Sequence, residues 1–306
     1  MIFINERDFK LNEKTVVTFG KFDGLHRGHK KILNTAKEIA RRENMPLTAF
    51  TFRVAPGCRF DYMDKEQITT FEERRELFEK MGVDILVEYS FDEQVAGMEP
   101  IAFIETVIKN KLNAAHVVVG EDWTFGKDRM GNGDLLKASQ KLFDFTASII
   151  QKEVYDSREI SSTWIREEIK SGNMENVNIL LGYPYMVAGE IVQGARIGRT
   201  MGFPTANIIP AKEKLLPPYG VYASKIFIKG NEYFGVTNIG IKPTVSEVPA
   251  VTIETYILDF NEDIYGEKAV VLLFHFQRPE MNFGNLEMLK NQLERDTQFT
   301  RTYFLI

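Results

Sequence analysis

Residues 15–42 read TVVTFGKFDGLHRGHKKILNTAKEIARR, and this stretch decides the fold. TVVTFG is a short β-rich run that closes on Gly20. KKILNTAKEIARR places Ile32, Leu33, Ala36, Ile39 and Ala40 at helical spacing. A polar, glycine-bearing turn joins the two, so a strand feeds directly into a helix. Outward from this unit the alternation continues. LTAFTF, VDILVEY, AHVVVG and FTASII read as strands; FEERRELFEKMG, PIAFIETVIKNKL and LLKASQKL read as helices. Strands alternating with helices require crossover connections and a mostly parallel sheet. In such sheets ligands bind beyond the carboxyl ends of the strands, so the segments ending at Gly20 and Gly120 are where chemistry is expected.

The pattern changes near residue 183. STWIREEIKSG and MENVNILLG read as two helices closing an α/β domain over residues 1–182. From there YMVAGEIV, GVYASKIFI, YFGVTNIG, VTIETYILDF and KAVVLLFHF are β-rich, punctuated by Pro and Gly. That pattern predicts a small antiparallel barrel over 183–306, closed by one terminal helix, NLEMLKNQLERDTQFTRTYF.

Composition narrows the function classes. At 306 residues the chain is long enough for two domains, and 44% hydrophobic with 26% charged residues is an ordinary globular balance. A net charge of −5 makes general nucleic-acid binding a poor expectation while leaving room for a local basic pocket. A single cysteine, Cys58, excludes an intrachain disulfide and suits a reducing compartment. No apolar run approaches the ~20 residues of a membrane span. The opening MIFINERDFKLNEK carries charge where a signal peptide needs an apolar core. A cytoplasmic protein without membrane association is expected, and the sequence names no protein partner.

Two of the four histidines lie three residues apart, in GKFDGLHRGH at 20–29. Gly20 and Gly24 allow tight turns and close backbone approach. Free N–H groups at a helix start favour phosphate. His26 and His29, at i and i+3, share a helical face and can stabilise charge developing at phosphorus. Zinc helix motifs space their histidines at i and i+4, and the segment offers no thiolate.

In the second half, GARIGRTMGFPTANI at 194–208 has glycines bracketing two arginines. It reads as a flap whose backbone approaches a triphosphate, or simply as a turn. Thr205 and Asn207 alternate in an extended segment, so their side chains point the same way. A hydroxyl and an amide oxygen suit Mg²⁺; an Asx or Thr turn is the alternative.

GKFDGLHRGH resembles the GxFDGxHxGH signature of the HIGH-type nucleotidyltransferases, and more narrowly the adenylyltransferase module of bacterial bifunctional riboflavin kinase/FAD synthetases. ISSTWIR at 160–166 is similar to that family's second nucleotide motif. VGEDWTFGKDRMGNG at 119–133 resembles its flavin loop. GARIGRTMGFPTAN, LPPYGVYAS, GVTNIGIKPTV, IETYILDFNEDIYGE and FQRPEMNFGNLEMLKNQLERD resemble successive riboflavin kinase segments, so the resemblance runs from residue 15 to 304.

The resemblance implies a Rossmann-like domain that transfers AMP from ATP to FMN, giving FAD and pyrophosphate, and a barrel that phosphorylates riboflavin to FMN. His26 and His29 would act at the α-phosphorus. Gly20, Asp23 and Gly24 would shape the ATP site, and Ser161, Ser162, Thr163 and Arg166 would hold its phosphates. Asp122 and Phe125 would face the flavin, though a lone Phe is more often core. In the barrel Gly194, Gly198 and Arg199 would hold ATP, and Thr205 and Asn207 Mg²⁺. Glu254 would act as general base, and Arg278 would border the flavin. One departure stands out. Where the family carries TFxPHP, this chain reads TFRVAPGCRF: Thr51 and Phe52 match, the His is missing, and Pro56 is the nearest counterpart. A riboflavin kinase with a weakened adenylylating half, or a non-catalytic flavin-binding regulator, is therefore the alternative.

Overall fold

The computed structural model describes residues 1–54, 66–193, 203–242 and 250–306. Pro56, Cys58, Gly194, Gly198 and Arg199 lie outside these. The chain separates into two compact units, Met1–Ser162 and Thr163–Ile306.

The first unit is a six-stranded parallel sheet. Its strands are β1 (Ile2–Ile4), β2 (Thr15–Phe19), β3 (Leu47–Val54), β4 (Ile85–Phe91), β5 (Ala114–Gly120) and β6 (Thr146–Ile150), in the order β1-β4-β3-β2-β5-β6. From β2 the chain runs one way through β3 and β4; from β5 it runs the other way to β6. The strand order therefore reverses between β2 and β5, where a crevice opens at the carboxyl ends. All five residues of β2 are buried. The edge strand β1, absent from the sequence reading, pairs in parallel with β4.

Helix α1 (Arg27–Glu43) follows β2 and buries Leu33, Ala36, Ile39 and Ala40, the stripe its periodicity predicts. Helix α2 (Phe71–Lys80) precedes β4 and opens with a capping box between Thr70 and Glu73.

The second unit begins with the helices Ser162–Ser171 and Met174–Leu181. The packing division thus falls before these helices, whereas the expected boundary at 182/183 follows them. The reason lies in what the second helix buries. Met174, Val177, Leu180 and Leu181 are fully buried. Asn178 donates to the Leu273 carbonyl at 3.0 Å and accepts from the Tyr185 amide at 2.7 Å.

The barrel strands are β9 (Tyr185–Val192), β10 (Thr205–Ile208), β11 (Gly220–Ile228), β12 (Asn231–Lys242), β13 (Ala250–Ile257) and β14 (Lys268–Pro279); the hairpin β7 (Val154–Tyr155) and β8 (Arg158–Glu159) belongs to the first unit. They close in the order β10-β13-β12-β11-β14-β9, every pair antiparallel. Ala206, Ile208, Ile226, Ile239, Ile253, Ile257, Val271 and Leu273 fill the core. Three hydroxyls share it. Ser224 donates to the Gly235 carbonyl at 2.8 Å, and Ser224, Thr237 and Thr255 are linked at 2.7 and 2.8 Å. The terminal helix, Leu286–Phe304, lays Phe304 against Phe234 and Phe274. Among the described residues no helix is long and apolar enough to cross a membrane.

Candidate active sites

The turn between β2 and α1 lies at the strand-order reversal. Its backbone is unusual. Phe22 (φ 51), Gly24 (φ 84) and Leu25 (φ 36) are all left-handed. Glycine adopts this freely, but the two non-glycine residues each store of order 1–3 kcal/mol, which persists only where surroundings over-determine the path. Here they do. Phe22 and Leu25 are wholly buried, with the Phe22 ring edge-on to Phe78 and His29. The Gly24 amide donates to Thr69 Oγ1 at 3.0 Å, and the Thr69 amide donates to Asp23 Oδ1 at 3.1 Å. Ser162 Oγ donates to the Asp23 carbonyl at 2.9 Å.

This path brings the two imidazoles together. His26 caps α1 and His29 sits one turn on; the rings stack at 3.7 Å and 22°. His26 Nδ1 accepts the His29 amide at 3.4 Å, which leaves the neutral ring's proton on Nε2 as a donor. Burial pushes His26 down to about 4, against the pull of the Asp23 and Asp122 carboxylates. Burial, His26 and the Arg74 guanidinium hold His29 well below the usual imidazole range. His29 Nδ1 is buried with no hydrogen-bond partner among the described residues. Two neutral imidazoles side by side gain most when negative charge appears beside them, the requirement for stabilising a phosphoryl-type transition state.

The other expected residues of this unit divide. Gly20 and Gly24 line the turn. Asp23 is 1% exposed and its carboxylate faces Thr69 and Arg74, so its charge organises the turn from inside. Ser161 precedes the helix Ser162–Ser171, while Thr163 and Arg166 fall in the second unit. Asp122 is exposed, 3.5 Å from Lys152 Nζ. Phe125 is buried in the main core, stacked on the half-buried Trp123 at 4.5 Å. Around it Phe19, Phe50, Phe52, Tyr89 and Phe103 form a continuous aromatic cluster. Arg74, beneath the β2–α1 turn, lies outside every motif quoted above. Its signal was an arginine on the apolar stripe of FEERRELF, between Phe71 and Phe78.

In the barrel, strand register assembles the residues. Asn207 pairs with Glu254 across β10 and β13, Glu254 with Asn238 across β13 and β12, Asn238 with Val221, and Val221 with Arg278. Directly paired residues share a sheet face, so Asn207, Glu254 and Asn238 lie side by side with Thr205 two positions along. Asn207 Nδ2 donates to Thr205 Oγ1 at 3.2 Å, and Thr252 Oγ1 donates to Glu254 Oε1 at 3.5 Å. Glu254 is half-buried between the fully buried Ile253 and Thr255. Asn238 belongs to the NIG segment, where a single Asn in a strand carries no signal of a site. Arg278 is held in place by an ion pair: its guanidinium grips the buried Asp296 carboxylate through Nε at 3.0 Å and Nη2 at 2.6 Å. It ties the end of β14 to the terminal helix.

Comparison with known proteins separates the same two regions. Residues 8–164 match the FAD synthetase family model, and residues 181–304 match the riboflavin kinase model. The bifunctional riboflavin kinase/FMN adenylyltransferase of Listeria monocytogenes is 39% identical over 94% of this chain and 92% of its own length. That of Bacillus subtilis is 36% identical over 95% and 93%. A solved structure described as a macrolide-efflux protein from Streptococcus pneumoniae superposes with a TM-score of 0.87 at 32% identity, covering 98% of this chain and 99% of that one.

Proposed function

Since the chain belongs to the bifunctional riboflavin kinase/FMN adenylyltransferase family and makes FMN and FAD, we propose that the β2–α1 turn carries adenylyl transfer and the Asn207–Glu254–Asn238 row carries the kinase step. The stacking of two neutral histidines where the strand order reverses is the observation that carries the first assignment. His26 and His29 donate to the α-phosphate oxygens as charge grows in the transition state, while Gly20 and Gly24 shape the turn that carries them. The part of ISSTWIR in holding ATP rests on its motif. Asp122 and the aromatic cluster around Trp123 and Phe125 border FMN.

In the barrel, Glu254 takes the proton from the ribityl 5′-hydroxyl of riboflavin as that oxygen attacks the γ-phosphorus of ATP. Asn207 and Asn238 flank the carboxylate, and Thr252 orients it. The neutral oxygen donors of Thr205 and Asn207 fit Mg²⁺, which prefers few protein ligands alongside phosphate and water. Bound there, the ion would neutralise phosphate charge. Arg278, held by Asp296, fixes the border of the flavin site. ATP consumption and the lone cysteine fit a cytoplasmic setting.

The test is a crossed product assay. His29→Ala should lose FAD formation from FMN and keep FMN formation from riboflavin; Glu254→Gln should do the reverse. A variant that loses both products has unfolded, and one that loses neither removes its residue from the proposal.

A further inference from the structure

We propose that Arg74 is a positioning residue for adenylyl transfer: from beneath the GKFDGLHRGH turn its guanidinium holds the backbone path that brings His26 and His29 together. This rests on the reading of those histidines as the groups that stabilise charge at phosphorus. Arg74 sits on α2, is 2% exposed, and belongs to neither sequence motif.

Its donors converge on two loops. Nη1 donates to the Lys21 carbonyl at 3.1 Å, in the turn itself. Nη2 donates to Gln67 Oε1 at 3.1 Å and to the Thr69 carbonyl at 3.0 Å, in the segment leading into α2. Nη2 also stands 3.6 Å from Asp23 Oδ1, and the guanidinium lies 4.9 Å from the Phe71 ring centroid. Thr69 closes the circuit, since it bonds Gly24 through Oγ1 and Asp23 through its amide. Lys21, Asp23 and Gly24, which bracket the left-handed Phe22, are thus held from one buried point.

Stability alone does not call for such a group. A buried ion pair is often no better than an apolar side chain of similar size, and the neighbours Phe71, Leu77 and Phe78 are apolar. What an apolar residue cannot supply is a planar fork of donors that reaches several oxygens at fixed angles. Lysine, a point charge on a flexible stem, cannot supply it either. The reach of the fork matches the stretch of backbone that carries the two histidines. Misplacing a reacting group by about 1 Å can cost ~10²-fold in rate, and the two imidazoles hang directly on this turn.

Two full-length variants test the inference: Arg74→Lys, which keeps the charge, and Arg74→Met, which keeps a long side chain and removes the donors. For each, kcat and KM for FAD formation and the rate of riboflavin phosphorylation are measured in one preparation, with thermal unfolding alongside. At least a tenfold fall in kcat for FAD formation is expected, with KM for ATP within threefold of the parent and FMN formation unchanged. A folded variant whose kcat for FAD stays within twofold, or whose loss lies wholly in KM, overturns the inference. Failure of both variants to fold overturns it too, by marking Arg74 as a structural residue. His29→Ala, assayed beside them, separates the premise: an unaltered FAD rate there removes the histidine reading, whatever the Arg74 variants show.

Discussion

The two units hold their reactive groups by opposite means. In the parallel sheet the histidines sit on a turn whose backbone is left-handed at Phe22, Gly24 and Leu25, kept there by buried side chains and by Asp23, Thr69 and Arg74. In the barrel, Asn207, Glu254 and Asn238 sit within strands, aligned by the same ladder that closes the sheet. A turn can stack two imidazoles face to face, but it needs a second layer of residues to stay in place. A strand face needs no such layer, because the ladder itself sets the position of each side chain. Burial drives both histidines far from their ordinary range; Glu254, on its strand face, is half-buried.

If that contrast is right, Glu254→Gln should show the largest effect and the purest chemical one. The ladder is untouched, so the variant should unfold like the parent while kcat for FMN formation falls ~10²–10⁴-fold, the usual contribution of a general base. Initial rates of FMN release at saturating riboflavin and ATP check it. A loss seen mainly in KM would recast Glu254 as a binding residue.

His29→Ala comes next. Removing one preorganised donor to a developing oxyanion costs ~10²–10³-fold, with His26 retaining part of the task. FAD release from FMN and ATP is the readout, and unlike the barrel variant this one should also shift the unfolding transition, because His29 packs on Phe22.

The third expectation concerns pH. His26 is pushed down to about 4 in the fold, from 6.5. Above pH 6.5 both folded and unfolded chains hold it neutral, and nothing is lost. Between 6.5 and 4 the unfolded chain takes up a proton that the folded one refuses. Stability therefore falls as pH drops through that window, by about 3 kcal/mol in all from this one group. Urea midpoints across pH 7 to 4 should slope downward, and His26→Asn should make the slope shallower, with His29 supplying what remains. FAD synthesis should show no inflection near 6.5, where an exposed imidazole would titrate.

The smallest effect is expected at Asp122. Its carboxylate is 67% exposed beside Lys152, and pairs of that kind contribute at most ~1 kcal/mol. Asp122→Asn should leave the unfolding curve nearly in place and act on KM for FMN alone. A large loss of stability would mean the crevice is far more closed than its exposure indicates.

Much of this was legible in the sequence because the governing patterns are local. Strand, glycine turn and amphipathic stripe fall within 28 consecutive residues, 15–42, and the alternation of Thr205 with Asn207 needs only the period of a strand. What escaped depends on partners far along the chain. The strand Ile2–Ile4 acquires its identity from Ile85–Val87. Arg74 looks, in a run of charged residues, like one more solvated side chain; only the fold places Lys21 and Asp23 against it. Arg278 takes its setting from Asp296, eighteen residues along and on the terminal helix, a partner that its own segment does not announce. The helices at 162–181 carry ordinary amphipathic patterns that do not say which core receives them.

The hydroxyls of Ser224, Thr237 and Thr255 act as a key cut into the barrel. Their bonds have one consistent direction, Thr255 to Thr237 to Ser224 to the Gly235 carbonyl, and it closes only when β11, β12 and β13 lie in this alignment. Sliding β13 by one residue would turn Thr255 outward and push Glu254 into the apolar interior. It would also strand the remaining buried hydroxyls, at ~1–3 kcal/mol apiece. Since Glu254 and Asn238 are the immediate chain neighbours of Thr255 and Thr237, three small hydroxyls hidden from solvent dictate where the carboxylate must emerge.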